Sequence, residues 1–167
     1  AMFSEKGKEI VRALFNDGPK DESILGKGVY RQYGKATDGF NISSCQFALH
    51  YFFENIEKLN QFAKNISQCT KVDGYFIGCC YDGATMFHAL RSLERGKSIG
   101  LMIDDDKIWE VTKEYSQTTY DPDISCVGYA IDVYQDSINK TIKEYLVNFT
   151  YFTELMKSYG FELLKRD

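Results

Sequence analysis

Six consecutive residues, Tyr75-Phe76-Ile77-Gly78-Cys79-Cys80, carry no charge and show no polar alternation. A strand with one wet face alternates, whereas a strand covered on both faces of a parallel sheet does not. The run is therefore predicted to be an inner strand, entered from a turn at Lys71-Val72-Asp73-Gly74 and left through Asp82, a residue suited to cap a following helix. Parallel strands need a crossover, and residues 57–70 supply one, with Leu59, Phe62, Ala63 and Ile66 on a single stripe. Ahead of it, residues 40–45 alternate as a strand. After the apolar run, Met86, Phe87, Leu90 and Leu93 recur at helical spacing until Arg95-Gly96-Lys97. Strand, helix, strand, helix over residues 40–96 is a βαβ unit, whose crossover is right-handed.

The flanks read differently. Residues 5–16 place Ile10, Val11, Leu14 and Phe15 on one helical face, ended by Asp17-Gly18-Pro19. A long segment punctuated by Gly26, Gly28, Gly34 and Gly39 reads as loop. Gly26-Lys27-Gly28 lacks the rest of a phosphate-loop pattern, so Lys27, Arg31 and Lys35 are read as a solvated face rather than as phosphate ligands. Beyond Gly96, residues 98–103, 108–115 and 125–134 read as hairpin strands separated by Asp104-Asp105-Asp106 and Tyr120-Asp121-Pro122-Asp123. The acidic triplet is read as a turn rather than a magnesium site. Residues 143–149 run into a helix with Phe152, Leu155, Met156 and Tyr159 inward and Gly160 at its end; residues 161–164 read as the start of another strand.

At 167 residues, 44% hydrophobic and 15% aromatic, the chain is expected to be one packed domain, residues 1–167. A net charge of −4 excludes a broad polyanion-coating surface, so any nucleic acid would be gripped locally. Five cysteines without CxxC spacing and only two histidines argue against zinc and for buried thiols in a reducing compartment. The sequons at Asn41, Asn65, Asn139 and Asn148 follow no signal peptide, and no apolar run is long enough to cross a membrane. The expected setting is intracellular, with no membrane partner and no metal.

One stretch carries chemistry. In Phe40-Asn41-Ile42-Ser43-Ser44-Cys45-Gln46-Phe47-Ala48-Leu49-His50-Tyr51-Phe52-Phe53-Glu54, helical spacing puts Phe47, His50, Tyr51 and Glu54 on one face. Two rings, an imidazole and a carboxylate make an unusual core but a suitable floor for a flat ligand with polar edges.

Three pieces in order, Ser44 to Glu54, Gly74 to Cys80 and Glu144 to Val147, resemble the mRNA cap guanine-N7 methyltransferases, and among them those in capping enzymes of large, mimivirus-like DNA viruses. The family pattern is roughly S-C-Q-F-x-x-H-Y-x-F-E, then G-G-x-F-I-G-T, then E-Y/F-L-V. The first piece is specific, the other two informative only in order; Tyr81-Asp82-Gly83 is similar to the viral branch. The resemblance implies a Rossmann-like, class I S-adenosylmethionine-dependent α/β fold with antiparallel hairpin strands at one side. The chain would be its C-terminal half, without the family's Gly-rich cofactor loop, ribose-binding acid and last strand, and inactive by itself. An exposed sheet edge is expected to drive self-association.

The resemblance also implies roles. Guanine offers N1–H and the N2 amino group as donors and O6 as acceptor. Glu144 would accept from the two donors, His50 would donate to O6, and Phe47 and Tyr51 would line the guanine pocket. Gln46 and Tyr51 would meet S-adenosylmethionine. No residue would act as catalytic acid or base. The partners would be the GpppN end of capped mRNA and the rest of the capping enzyme. Each residue has a plainer reading: a structural histidine, a strand-end carboxylate, a Gln serving backbone, aromatics of the core. At the level of function, the alternatives are a non-catalytic cap-guanine-binding or stimulatory module, and a structural α/β domain in which Glu144 and His50 lie far apart.

Overall fold

The computed structural model describes residues 4–164. Its first helix, α1 (Glu5–Leu14), is capped by the Ser4 side chain, which accepts from the Gly7 amide. The inward face is rotated from the predicted one: Ala13 is buried and Val11 is exposed. The covering is backbone, since the Gly34 amide donates to the Ala13 carbonyl and the Ala36 amide to that of Leu14. A small side chain is what such close approach accepts.

The Gly-punctuated segment is partly helical. α2 (Glu22–Tyr30) starts at Asp21, whose carboxylate accepts from the Ser23 amide, and bends at Gly26, where φ is 76°. Sequence pattern missed this helix because Gly26 serves the kink rather than ending the element.

β1 (Phe40–Gln46), α3 (Ile56–Cys69) and β2 (Thr70–Cys79) follow in the expected order. Leu59, Phe62 and Ala63 are buried as predicted. β1 and β2 form a two-stranded sheet. The Gly39 backbone lies against Lys71 at one end, and the Phe47 amide donates to the Cys79 carbonyl at the other, so the strands run parallel. Two predictions fail here. The expected turn at residues 71–74 is inside β2, which bends at Asp73 (φ 62°) and continues. β2 is also not covered on both faces: Tyr75 and Ile77, two residues apart and so on one face, are exposed.

Asp82 caps α4 (Gly83–Leu90) by accepting from the Ala84 and Thr85 amides. Then come β3 (Ser98–Ile103), β4 (Asp106–Lys113), β5 (Ala130–Gln135) and β6 (Lys140–Tyr145), an antiparallel sheet of its own in that order. Ile103 pairs with Asp106, leaving Asp104 and Asp105 as a two-residue turn with φ of 48° and 69°. Both central residues are left-handed, as a type I′ hairpin turn requires, so the acidic triplet is a turn. The predicted strand at 125–134 is shorter; Ile124–Cys126 is a 3-10 turn capped by Asp123. β6 was not anticipated as a strand. α5 (Phe149–Ser158) is capped by Asn148 and buries Phe152 and Met156. Residues 161–164 form no strand.

Backbone contacts divide the chain into two units, Ala1–Ser43 with Ile66–Phe76, and Ser44–Asn65 with Ile77–Asp167. In the second unit the core gathers Leu90, Val111, Tyr115, Tyr129, Ile131, Val133 and Leu146. Gly83 fits there because a β-carbon on it would lie 2.5 Å from both the Val147 carbonyl oxygen and Tyr120 Oη.

Candidate functional site

All five residues singled out in the sequence, Gln46, Phe47, His50, Tyr51 and Glu144, lie in the second unit. β6 positions Glu144. It pairs with Ile131 of β5, and cross-strand partners share a face, so the carboxylate points to the side of the sheet that carries the core. The Leu146 amide donates to the Tyr129 carbonyl and continues the ladder past it.

His50 comes from a different local structure than its spacing predicts. Phe47 has φ of 49° and stands outside any helix, and residues Leu49–Glu54 form a 3-10 helix. With three residues per turn, His50 and Phe53 share the inner face and are buried, while Tyr51 turns outward. The four-residue stripe of Phe47, His50, Tyr51 and Glu54 is thereby dissolved. Glu54 leaves the group altogether and pairs with Lys58.

His50 Nε2 and Glu144 Oε1 nevertheless come within 3.6 Å, with only 4% and 8% of each residue exposed. That distance is an ion-pair approach and longer than a hydrogen bond. Both ring nitrogens of His50 and Glu144 Oε2 have no hydrogen-bond partner among the described residues. Burial holds the imidazole below its ordinary 6.5 and lifts the carboxyl above its ordinary 4.5. Desolvation outweighs mutual attraction, and the imidazole is neutral at neutral pH. A neutral imidazole keeps one N–H to donate, and the carboxylate keeps lone pairs to accept.

The rim is aromatic and polar. The Tyr51 ring meets that of His50 edge-on at 4.2 Å, and its hydroxyl is held above its ordinary value by burial and then by the Glu144 charge. Phe47 is 65% exposed and Tyr51 40%, which leaves their rings free to cover a planar ligand. Gln46 is exposed at the end of β1; its amide donates to Ser44 Oγ, and its carbonyl accepts from Cys79 Sγ at 2.9 Å. Cys80 was not singled out in the sequence. Its thiol is pushed up to about 12, first by burial and then by the charges of Cys45, Cys79, Asp82 and Glu144. Its place just past the carboxyl end of a parallel strand is the signal that could have found it. The expectation of uniformly buried thiols also fails: Cys79 is exposed.

Among the described residues no group of His, Cys, Asp and Glu could hold a metal ion, and no helix is long and apolar enough to cross a membrane.

Residues 10–167 match the family model described as mRNA (guanine-N(7))-methyltransferase domain. A protein of Acanthamoeba polyphaga mimivirus named "Probable mRNA-capping enzyme" is 32% identical over 135 residues, 77% of this chain and 11% of that protein. The mRNA cap guanine-N(7) methyltransferase of Drosophila melanogaster is 28% identical over 132 residues, 75% of this chain and 27% of that protein. That of Saccharomyces cerevisiae is 28% identical over 129 residues, 75% and 29% respectively. The chain thus spans about a tenth to a third of the length of these curated relatives. The parallel β1–α3–β2 unit and the antiparallel sheet agree with the α/β class of S-adenosylmethionine-dependent methyltransferases. Matched from residue 10 onward, the chain belongs to the mRNA (guanine-N(7))-methyltransferase domain family.

Proposed function

We propose that this chain carries the guanine-recognition part of an mRNA cap guanine-N7 methyltransferase, acting on the GpppN end of RNA within a larger capping enzyme. One observation carries the reading: His50 and Glu144, distant in sequence, are buried 3.6 Å apart with polar atoms unpartnered. A donor and acceptors at that spacing suit neighbouring groups on one edge of guanine. Glu144 accepts from N1–H and the N2 amino group, and the His50 N–H meets O6. Adenine would present a donor to the imidazole and leave the buried carboxylate unpaired, costing about 1–3 kcal/mol per lost contact. Phe47 and Tyr51 cover the ring.

S-adenosylmethionine, when bound, supplies an electrophilic sulfonium methyl. Gln46 and Tyr51 are the residues here that would hold it; both are exposed, and Gln46 retains an unshared N–H and lone pair for a ligand. Guanine N7 has a free lone pair and no proton to lose, so no residue of this chain acts as acid or base. The residues contribute by fixing the plane and angle of the base for in-line attack. The exposed apolar residues Ile42 of β1 and Tyr75 of β2, both in the first unit, support association of that part of the sheet with another chain or segment. The setting we infer is intracellular, in a viral factory or virion.

The test is calorimetric titration with GpppA and ApppA, together with a methyl-transfer assay on the full-length parent. Binding of GpppA alone, weakened about tenfold or more in Glu144→Gln, is the expected result. Equal binding of ApppA would overturn the guanine assignment. Guanine binding with a parent that transfers no methyl group would identify a non-catalytic cap-binding module.

A further inference from the structure

We propose that the cavity between α4 and the β4–β5 strands takes a second nucleobase, the one that follows the guanosine of the capped RNA. The inference rests on the guanine reading above. The cavity measures about 540 Å³, within the range of small-ligand pockets, and Tyr81, Met86, Trp109, Val133, Gln135 and Asp136 are among its walls.

Its position follows from register. Cross-strand partners share a face, so three rows lie on one side of the sheet. Lys113, Ile131 and Glu144 form the first, Val111, Val133 and Ile142 the second, and Trp109, Gln135 and Lys140 the third. Rows two residues apart are separated by about 7 Å, which puts the Trp109 row about 14 Å from that of Glu144 along the strands. A triphosphate bridge between two nucleosides reaches over such a distance. Lys140, exposed, lies in the third row, level with Trp109 and Gln135 at the far end of that span.

The walls select the chemistry of the occupant. They hold no Lys or Arg and one carboxylate, so a phosphate does not enter. Trp109 and Tyr81 offer aromatic faces for stacking, which serves any base. Gln135 Nε2 donates to Tyr81 Oη at 2.8 Å; this holds the phenol and leaves the Gln135 carbonyl as an acceptor. With Asp136 beside it, the polar edge favours a base carrying an amino group, such as adenine.

Trp109 is the one tryptophan of the chain, so its emission reports on this cavity. The experiment follows that emission during titration with GpppA, GTP and adenosine 5′-monophosphate, with calorimetry on the same samples. GpppA is expected to quench Trp109, and GTP to bind without quenching. Adenosine 5′-monophosphate is expected to quench at higher concentration, equally in Glu144→Gln. Gln135→Ala should weaken GpppA about fivefold or more and leave GTP unchanged. Quenching by GTP as strong as that by GpppA would give the cavity to guanine and overturn the proposal. Calorimetric binding of GTP with emission unmoved by GpppA and adenosine 5′-monophosphate would overturn it while the guanine reading stands. Absent GTP binding with quenching by adenosine 5′-monophosphate that Gln135→Ala abolishes would sink the guanine reading and keep this subsite.

Discussion

Glu144 stands directly across from Ile131 in the antiparallel register of β5 and β6, and the two side chains share the buried face of the sheet. A carboxylate beside a fully buried isoleucine is costly for the fold, and in the guanine reading proposed above the ligand's donors offset that cost. Glu144→Gln keeps the shape and removes the charge. It should lower guanine-nucleotide affinity by about tenfold or more, the loss of one or two charge-assisted contacts. At neutral pH it should leave the thermal midpoint unchanged or raise it, because an ionised carboxylate no longer has to be buried. Calorimetry and thermal unfolding on the same preparation check both halves.

Acid should weaken guanine binding earlier than an ordinary carboxylate would. The folded Glu144 carboxyl is lifted above 4.5, so its accepting form is lost as pH falls through that raised value. The stability effects have the opposite sense for the two residues. For Glu144 the cost of ionising in the fold appears as pH rises above 4.5. For His50, held below 6.5, the cost appears as pH falls below 6.5, where the unfolded chain takes up a proton that the fold refuses. Affinity measured from neutral pH downward should fall in the wild type and stay nearly flat in Glu144→Gln.

Gly83→Ala should destabilise the second unit by about 1–3 kcal/mol. The new methyl would meet the Val147 carbonyl oxygen and Tyr120 Oη at 2.5 Å and strain the Gly83 to Val147 hydrogen bond of 2.9 Å. Adding Tyr120→Phe removes one obstacle and leaves the backbone one, so the double variant should recover little. Thermal unfolding of the two variants beside the parent protein tests this.

Lys113 is 6% exposed and donates to the Leu93 carbonyl at 2.9 Å and the Leu90 carbonyl at 3.4 Å, at the carboxyl end of α4. Its ammonium also lies over the Tyr115 ring. Lys113→Met keeps the stem and deletes the donor, leaving those carbonyls without it. A loss of about 1.5–3 kcal/mol is expected in denaturant unfolding, with secondary structure retained by circular dichroism.

Read alone, the sequence determined what depends on neighbours along the chain. The stripe of Leu59, Phe62 and Ala63, the caps at Asp82 and the Asp104-Asp105 turn are local chemistry, and each appears as predicted. So was the motif around Gln46 to Tyr51, because its residue types are specific even where their periodicity misleads. Tertiary structure decided the rest. An apolar run cannot report how many neighbours cover it, so β2 read as an inner strand although Tyr75 and Ile77 are exposed. Helical spacing cannot tell 3.6 from 3.0 residues per turn over six positions, so the face shared by His50 was misassigned. Above all, β6 carries no clear alternation, and only its pairing with β5 brings Glu144 to His50. That meeting is a matter of register, and register is set by contacts between segments that sequence spacing does not record.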